Sequence, residues 1–365
     1  MKIVRPDYER GLLNVMQSIV KHYGGNTNYP THPVVDEILA TPQKHICVLL
    51  VDAMGSKLIE RHLPEDSFLR KHMISEITTV YPSTTAAATV VAETAEAPCK
   101  TGWTGWTHYF PEINDHRVLF LNMSYFTYQF HQDDFTYRTL PLDHIQFKLT
   151  RQGVHSQVIY PAFRKNGAKT FDEMCDRILK RMSCEGEYTY CYWDAFDSLM
   201  HKKGVNHEET VAMLKDIDKS IENLCSKLEE GQTLIVVADH GQIDTECINI
   251  LKYPDYIDCM RVLPSVECRA SAFFVKEDKK EEFERLFNQY FGKDFILYTT
   301  EEFLNEGYLG PGSQHPRLRE LLGDYFACAT GKYNLVAGDV QFVGQHAGLT
   351  EEEMMIPLVV YQKEK

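Results

Sequence analysis

Two short apolar runs, each followed by an acidic residue and a glycine-containing turn, constrain the fold of this chain most strongly. Ile46–Val51 reads ICVLLV and precedes Asp52, whereas Leu234–Ala238 reads LIVVA and precedes Asp239. An unbroken apolar run of this length is typical of a strand that is buried on both faces of a parallel sheet. Each run is therefore predicted to be such a strand, with a carboxylate at its carboxyl end.

A third, weaker segment of the same kind, YTYCYWDAFD, ends in Asp194 and Asp197. Between this segment and the second run lies an apolar stripe at helical spacing, closed by Gly231 and made of Leu214, Ile217, Ile221, Leu224 and Leu228. The strand–helix–strand order predicts an α/β fold with a mainly parallel central sheet and helices on both faces. In such sheets ligands bind beyond the carboxyl ends of the strands, where all three acidic segments end.

The rest of the chain suggests a division into two parts. Residues 250–335 contain their own strand-like and helix-like segments, so we expect a small α/β lobe there that borders the site as a cap. The catalytic domain is then predicted to comprise residues 1–249 and 336–365. Within it, residues 7–23 predict an opening amphipathic helix, and residues 107–165 are rich in aromatic and turn residues.

Composition and charge limit the classes of function. Of the 365 residues, 44% are hydrophobic and 25% are charged, as in a globular enzyme. The formal net charge of −14 disfavours binding to duplex nucleic acid, although metal ions in a pocket would still admit a small anionic substrate. Charges interrupt the N-terminal apolar stretches, no run is long enough to span a bilayer, and the cysteines form no CxxC pair. We therefore expect a cytoplasmic protein with reduced thiols and no membrane partner; the oligomeric state stays open.

Acidic residues and histidines at or near the predicted strand ends form a candidate metal-binding set. Asp239 and His240 are adjacent, and Asp197 and His201 stand four residues apart, which places them on one face of a helix. Each member alone has a structural explanation, such as a helix N-cap for Asp52. The whole set consists of Asp52, Asp197, His201, Asp239, His240 and His346. Carboxylates and imidazoles without thiolates suit zinc or manganese, and two such ions can hold a phosphate ester between them.

The segment VYPSTTAAATVV offers three hydroxyl groups as a nucleophile, those of Ser83, Thr84 and Thr85. A hydroxyl group attacks at neutral pH only when a base or a metal ion activates it. The alanine-rich helix that is predicted to follow would direct its first N–H groups and the positive end of its dipole towards an anion. The residue types alone leave the choice among the three hydroxyl groups open.

The order of the motifs VDAMG, YPSTTAA, DxxxH, ADHG and HAGLTEEEM resembles that of the alkaline phosphatase superfamily, and within it the type I phosphodiesterase / nucleotide pyrophosphatase branch. The matched motifs extend from residue 46 to residue 358. The resemblance implies two metal sites, one formed by Asp52, Thr85, Asp239 and His240 and the other by Asp197, His201 and His346. It also implies that Thr85 is the nucleophile and that the reaction passes through a phosphothreonine, because the YPSxT pattern of the branch places the nucleophile at the second threonine.

The chain departs from the pattern of the branch at one position. An Asn that follows the nucleophile and binds a phosphate oxygen is missing from the corresponding stretch, CKTGWTGWTHYF. Trp106 and Thr107 lie near its place and are candidate substrate-binding residues. Asp194 is a rival to Asp197 as a metal ligand, although the spacing to His201 favours Asp197.

These observations favour the hydrolysis of a phosphodiester or nucleotide pyrophosphate bond in a small molecule. A phosphomonoesterase would use the same metal ions but needs a further cation for the second negative charge, for which Arg261, Arg269 and Arg317 are candidates. A silent relative that binds a nucleotide or metal ion without turnover is a further alternative. It is less expected, because all six candidate ligands and the hydroxyl group are present.

Overall fold

The computed structural model describes residues 1–184 and 187–363. Its strands are β1 (His45–Val51), β2 (Met73–Thr78), β3 (Thr107–Phe110), β4 (Asp115–Val118), β5 (Met123–Ser124), β6 (His155–Ile159), β7 (Glu187–Trp193), β8 (Gln232–Val237), β9 (Ile243–Asp244), β10 (Glu246–Asn249), β11 (Met260–Val266), β12 (Ala270–Val275), β13 (Phe295–Thr299), β14 (Tyr325–Ala329), β15 (Tyr333–Val336), β16 (Gly344–Gln345) and β17 (Met355–Gln362).

The α-helices are α1 (Leu12–His22), α2 (Pro33–Leu39), α3 (Ser56–His62), α4 (Phe68–His72), α5 (Thr85–Thr94), α6 (Pro98–Thr101), α7 (Phe135–Thr139), α8 (Ile145–Thr150), α9 (Phe171–Met182), α10 (Ala195–Lys203), α11 (Glu208–Ser226), α12 (Pro254–Asp258), α13 (Lys280–Tyr290), α14 (Thr300–Asn305), α15 (Leu318–Leu321) and α16 (Glu351–Met354). Short 3₁₀ helices cover Pro111–Ile113, Ile250–Lys252 and Glu277–Lys279.

The central sheet has six strands in the order β2-β17-β8-β1-β7-β6. Strands β6, β7, β1 and β8 pair in parallel, whereas β17 is antiparallel to both of its neighbours. β1 lies between β7 and β8, and every one of its residues is buried, as the unbroken apolar run predicts. The predicted α/β fold with a mainly parallel central sheet is therefore confirmed.

The helices around this sheet pack in two groups. Helices α1, α2, α5 and α8 form one group, and α3, α4, α9, α10 and α11 form the other, as expected for a sheet that is covered on both faces. The predicted apolar stripe belongs to α11, which buries Leu214, Ile217, Ile221 and Leu224. The helix ends at Ser226 rather than near Gly231, so Leu228 is buried beyond the helix end.

A second sheet of seven strands has the order β13-β14-β12-β11-β3-β4-β5, and its neighbouring strands pair antiparallel. Strands β11 to β14 lie within residues 250–335, but β3 to β5 come from the aromatic-rich segment that begins at residue 107. A separate apolar core beneath this sheet includes Phe283 and Phe287 of α13. The division into a catalytic domain and an inserted lobe stays a prediction, and the second sheet draws strands from both sides of the expected boundary.

In the part of the chain that the structure describes, no helix combines the length and the apolar character needed to cross a bilayer. All ten cysteines are free thiols, and most of them are buried. Their pattern fits the expectation of reduced side chains that pack in the core.

Candidate metal centre

The carboxyl ends of three neighbouring parallel strands bring the predicted site residues to one edge of the central sheet. Asp52 follows β1 directly, and Asp239 and His240 follow β8 after one further residue. Asp197 and His201 lie on α10, the helix that begins just after β7. Because β7, β1 and β8 are adjacent and parallel, side chains that follow them meet at the same edge.

The first cluster surrounds His240. Its Nε2 atom lies 3.4 Å from Oδ1 of Asp52, 3.4 Å from Oδ2 of Asp239 and 3.1 Å from Oγ1 of Thr85. The two carboxylate oxygens are buried and accept no hydrogen bond from any described residue. A buried carboxylate oxygen without a partner is unfavourable unless a cation satisfies it, so this donor set fits a divalent metal ion.

Further hydrogen bonds hold the cluster in place. Tyr192 donates its hydroxyl proton to Oδ2 of Asp52, and the backbone N–H groups of Ala53 and His240 donate to Oδ1 of Asp239. The Nδ1–H group of His240 donates to the carbonyl oxygen of Gly241 at 2.9 Å, which leaves Nε2 as the free acceptor. Bonds of this kind orient metal ligands and select their tautomer.

The second cluster consists of Asp197, His201 and His346, whose candidate ligand atoms lie within 4.8 Å of one another. Nε2 of His201 lies 3.2 Å from Asp197 Oδ2, and Nε2 of His346 lies 3.9 Å from Asp197 Oδ1. The Nδ1–H groups donate to backbone carbonyl oxygens, that of His201 to Gly344 and that of His346 to Ser83. Both Nε2 atoms therefore face the space that an ion would occupy.

The two clusters adjoin each other. The rings of His240 and His346 stack with a centroid distance of 3.8 Å, and Asp197 also groups with Asp52 and His240 within 4.8 Å. The structure therefore brings together all six predicted ligands and Thr85, although they span nearly the whole chain. Asp194, the rival of Asp197, is the N-cap residue of α10 and belongs to neither cluster.

The electrostatics of the cluster residues favour a bound cation. Burial raises the pKa of Asp52 well above its ordinary value, and the nearby carboxylates of Asp239 and Asp197 raise it further. Burial also raises the pKa of Asp239. Burial and the neighbouring imidazoles of His240 and His201 lower the pKa of His346 well below its ordinary value. Closely spaced carboxylates disfavour one another's charge, whereas a metal ion favours ionised carboxylates and neutral imidazoles.

The three candidate hydroxyl groups point in different directions. Ser83 donates to the carbonyl oxygen of Gly348 at 2.7 Å, and Thr84 donates to Oε1 of Glu267 at 2.6 Å. Thr85 is the first residue of α5, and its hydroxyl oxygen is the one that lies against the first cluster. Of the three hydroxyl groups, only that of Thr85 therefore contacts a residue of the first cluster in the part of the chain that the structure describes.

A pocket of about 380 Å³ opens onto the clusters, and Thr85, Asp197, His201 and His346 line it. Trp106 and Thr107 also line the pocket, together with aromatic and apolar residues that include Tyr125, Phe126, Val266, Leu335 and Phe342. None of the described lining residues is a Lys or an Arg.

The three arginines considered for a second phosphate charge are engaged elsewhere. Arg269 is fully buried and pairs with Glu353. Arg261 pairs with Asp324. Arg317 pairs with glutamates at positions 112 and 320. Their side chains do not line the pocket.

Sequence reasoning missed several residues of the site. Tyr192 and Gln242 contact the predicted ligands directly, the latter through a hydrogen bond of 3.3 Å from Nε2 to Asp197 Oδ1. Glu267 lies in the turn between β11 and β12 and lines the pocket. Gln242 stands two residues after His240 and could have been found by that proximity. Tyr192 and Glu267 carried no local signal, because only the folded sheets bring them to the site.

Comparisons with known proteins identify the family and the fold of the chain. The chain matches the family described as Type I phosphodiesterase / nucleotide pyrophosphatase over residues 46–310. No curated protein matches the chain. Murine ectonucleotide pyrophosphatase / phosphodiesterase 5 has a similar structure, with a TM-score of 0.66 and 16% sequence identity over 87% of each chain.

Two further solved structures are similar to the chain. One is an inactive threonine-to-alanine variant of the murine protein in complex with AMP, with a TM-score of 0.65 and 16% identity over 87% of each chain. The other is phosphonoacetate hydrolase from Sinorhizobium meliloti in complex with phosphonoformate. It has a TM-score of 0.65 and 13% identity over 87% of this chain and 90% of that chain. At this level of identity the likeness establishes the fold.

The family match itself covers more than half of the chain and includes all of the predicted site residues except His346. The described residues include Asp/His clusters that could hold a metal ion. The chain therefore belongs to the type I phosphodiesterase / nucleotide pyrophosphatase family and is a hydrolase of phosphate esters.

Proposed function

We propose that the chain hydrolyses phosphodiester or nucleotide pyrophosphate bonds in small molecules, with Thr85 as the nucleophile and two divalent metal ions, zinc or manganese, in the clusters. The observation that carries the proposal is the position of the Thr85 hydroxyl group. Its oxygen lies 3.1 Å from His240 Nε2, beside two buried carboxylate oxygens that accept no hydrogen bond from the described residues. A hydroxyl group in this position is placed for activation by a cation that the same residues hold.

Asp52, Thr85, Asp239 and His240 would hold one ion, and Asp197, His201 and His346 would hold the other. When bound, the ions supply positive charge that stabilises the phosphoryl group and lowers the pKa of hydroxyl groups and water. Zinc and manganese both suit a set of carboxylates and imidazoles.

In the proposed reaction, the Oγ1–P bond of Thr85 forms while the bond from phosphorus to the leaving oxygen breaks. The hydroxyl proton of Thr85 passes to solvent, and the leaving oxygen takes a proton from water. A water molecule then attacks phosphorus, which breaks the Oγ1–P bond and restores the threonine. Because Thr85 is the first residue of α5, a phosphoryl group on its hydroxyl oxygen would lie near the positive end of that helix.

The charge of the pocket lining supports a diester over a monoester. A phosphate monoester carries about one more negative charge than a diester at neutral pH, so a monoesterase needs an additional cation near the phosphorus. Among the described lining residues, no Lys or Arg provides one. The complex of a murine structural neighbour with AMP and the complex of phosphonoacetate hydrolase with phosphonoformate support a small molecule with a phosphate or phosphonate group as the substrate.

The aromatic side of the pocket supports a leaving group or substituent with a flat, apolar surface. Trp106, Tyr125 and Phe126 line the pocket with more than a third of each side chain exposed, although large aromatic residues are usually buried. A nucleobase would stack on such rings. Thr107 is buried, and its hydroxyl group reaches the carbonyl oxygen of Val266 at 3.5 Å, so we propose that it supports the pocket wall beside Trp106.

Turnover of three chromogenic substrates would test the proposal. The purified chain would be loaded with zinc or manganese and given bis-p-nitrophenyl phosphate, p-nitrophenyl phosphate and the p-nitrophenyl ester of thymidine 5′-monophosphate. We expect diester turnover well above monoester turnover, and preference for the thymidine ester would favour nucleotides. Dominant monoester turnover would contradict the diesterase proposal. No turnover of any substrate with both ions bound would favour a silent metal-binding relative.

Matched threonine variants would test the nucleophile. Thr85→Ala is expected to abolish turnover and to keep most of the bound metal, since six other ligands remain. Thr84→Ala changes the neighbouring hydroxyl group, which donates to Glu267 instead of contacting His240. Turnover that survives in Thr85→Ala and is lost in Thr84→Ala would refute the assignment. A cytoplasmic location and the absence of a membrane partner stay predictions for cell fractionation.

A further inference from the structure

Glu267 is held rigidly at the wall of the pocket. It follows Val266, a buried β-branched residue with a φ of 79°, a conformation that such residues rarely adopt. Its backbone is bonded on both sides, because its N–H group donates to the carbonyl oxygen of Ala270 and its own carbonyl oxygen accepts from the Ser271 hydroxyl group. Strained backbone of this kind occurs mainly where the surrounding structure holds a functional side chain in place.

The carboxylate of Glu267 connects two segments of the site. Its Oε1 atom accepts a hydrogen bond of 2.6 Å from the hydroxyl group of Thr84 and one of 2.7 Å from the backbone N–H group of Trp106. Thr84 is the N-cap residue of α5 and precedes Thr85. The carboxylate therefore lies beside the place where a substrate phosphate would meet the first turn of α5.

No Lys or Arg among the described residues pairs with Glu267. None of the described residues forms a salt bridge with it, and no Lys or Arg lines the pocket. Apart from Asp197, a predicted metal ligand, it is the only carboxylate among the described lining residues. Burial raises the pKa of Glu267 to about 7, which reflects how poorly its surroundings solvate a negative charge. Above about pH 7, where the carboxyl group of Glu267 is mainly ionised, an anionic substrate would thus approach a negative charge that no Lys or Arg of the described pocket lining pairs with.

We propose that Glu267 determines the substrate class of this site by charge: it repels the second negative charge of phosphate monoesters and restricts the site to phosphodiesters with one negative charge. This inference rests on the proposed function, because it concerns the same pocket. Discrimination by a built-in repulsive group is a common source of specificity. A unit charge within about 12 Å, at an effective dielectric constant of about 20, changes the binding of another unit charge by a factor of ten or more.

Glu267→Gln removes the charge and keeps the geometry. The amide oxygen of the glutamine can accept both hydrogen bonds, from Thr84 and from Trp106, in place of Oε1. The matched control is Thr84→Val, which removes one of the two hydrogen bonds and keeps the carboxylate. A purely structural role for Glu267 predicts that the control is the more harmful variant, whereas a role as a charged group predicts that only Glu267→Gln changes selectivity.

Calorimetry of anion binding to the zinc-loaded full chain at pH 8.5 would test the proposal without turnover. The probes are inorganic phosphate, mainly a dianion at this pH, and dimethyl phosphate, a monoanion. In Glu267→Gln we expect Kd to fall about tenfold for dimethyl phosphate and about a hundredfold for inorganic phosphate, so that the ratio of the two Kd values changes about tenfold. In Thr84→Val the ratio of the two Kd values should stay that of the wild type.

Three outcomes would overturn the inference: equal changes in both Kd values, no change in either, or no binding of either anion to the wild type and to Glu267→Gln. A kinetic comparison separates this inference from the proposed function. If the wild type turns over no phosphate ester but Glu267→Gln still binds inorganic phosphate selectively, the proposed reaction is wrong and the charge selectivity stands. If the wild type prefers the diester and Glu267→Gln leaves the diester-to-monoester ratio of kcat/KM unchanged, the proposed function stands and the charge selectivity is refuted.

Discussion

Arg269 and Glu353 form a fully buried ion pair behind the loop that carries His346. Two hydrogen bonds of 2.7 and 2.8 Å join the guanidinium group to the carboxylate, and two more reach the carbonyl oxygens of Tyr333 and Gly331. The same carboxylate accepts a bond of 2.7 Å from the N–H group of Gly348, two residues after His346. The pair thus joins the second sheet to the loop of the second metal cluster.

Glu353→Gln is expected to lower the free energy of unfolding by about 3 kcal/mol, the lower end of the range for breaking a buried pair by removing one partner. The lower end applies because the guanidinium group of Arg269 still donates to the carbonyl oxygens of Tyr333 and Gly331, and the amide oxygen of the glutamine can accept one of the hydrogen bonds that the carboxylate accepted. The double variant Arg269→Met/Glu353→Leu leaves no unpaired charge, so we expect it to be less destabilised than Glu353→Gln. Urea denaturation of the metal-free chain measures both values.

Glu351→Gln is the matched control, because Glu351 lies on the same helix, α16, and pairs with Lys2 at the surface. Exposed ion pairs contribute little, so this variant should unfold close to the wild-type midpoint. The reasoning is refuted if Glu353→Gln unfolds with the control, or if the double variant is the least stable of the set. The first result would mean that solvent reaches Arg269, and the second that the pair contributes more than its burial costs.

Three further predictions concern the site and its surroundings. Tyr192→Phe removes the hydrogen bond to Asp52 and is expected to weaken zinc binding about tenfold to a hundredfold, measured by competition with a chelator; unchanged affinity would contradict the positioning role. A chelator should lower the Tm of the metal-loaded protein, and added zinc should restore it, because Asp52 and Asp239 each have a buried carboxylate oxygen that accepts no hydrogen bond from the described residues and that a metal ion would satisfy. A Tm that does not depend on metal would refute the site. Burial lowers the pKa of His108 from 6.5 to about 4, so between these two pH values the imidazole is protonated in the unfolded chain but not in the folded one. The free energy of unfolding should therefore fall by about 3 kcal/mol as the pH drops from about 6.5 to about 4. The free energy of unfolding, measured across this pH range, should fall in the wild type by this amount more than in His108→Gln. The same pH dependence in both proteins would contradict the prediction.

Local sequence patterns predicted those elements whose environment is uniform along their length. β1 begins one residue before its predicted run, and β7 coincides with the tyrosine-rich segment. Both were predictable because a central strand is apolar on both faces and therefore shows its burial in the sequence. The end of α11 was predicted less well. The apolar spacing continues to Leu228, but the helix ends at Ser226, since a buried leucine packs equally well from the turn that follows.

The candidate ligands were predictable because their signal is local. An acidic residue directly after an apolar run, an Asp-His pair and a four-residue spacing on a helix can each be read from a few neighbouring residues. The motif order added the assignment of Thr85 by resemblance. Its position against the first cluster, however, depends on the turn that directs Ser83 to Gly348 and Thr84 to Glu267.

The sequence by itself determined the parallel sheet, the acidic edge and the ligand types, since each depends on the polarity of residues that are close along the chain. Only the tertiary structure decided that Glu267 lies beside Thr84, that Tyr192 supports Asp52, and that the described residues lining the pocket include no Lys or Arg. The first two facts arise from contacts between residues more than a hundred positions apart: Tyr192 and Asp52 meet because β7 pairs with β1, and Glu267 meets Thr84 because the second sheet packs beside α5. Residue types alone do not encode such distances, because strand pairing and the packing of the two sheets set them.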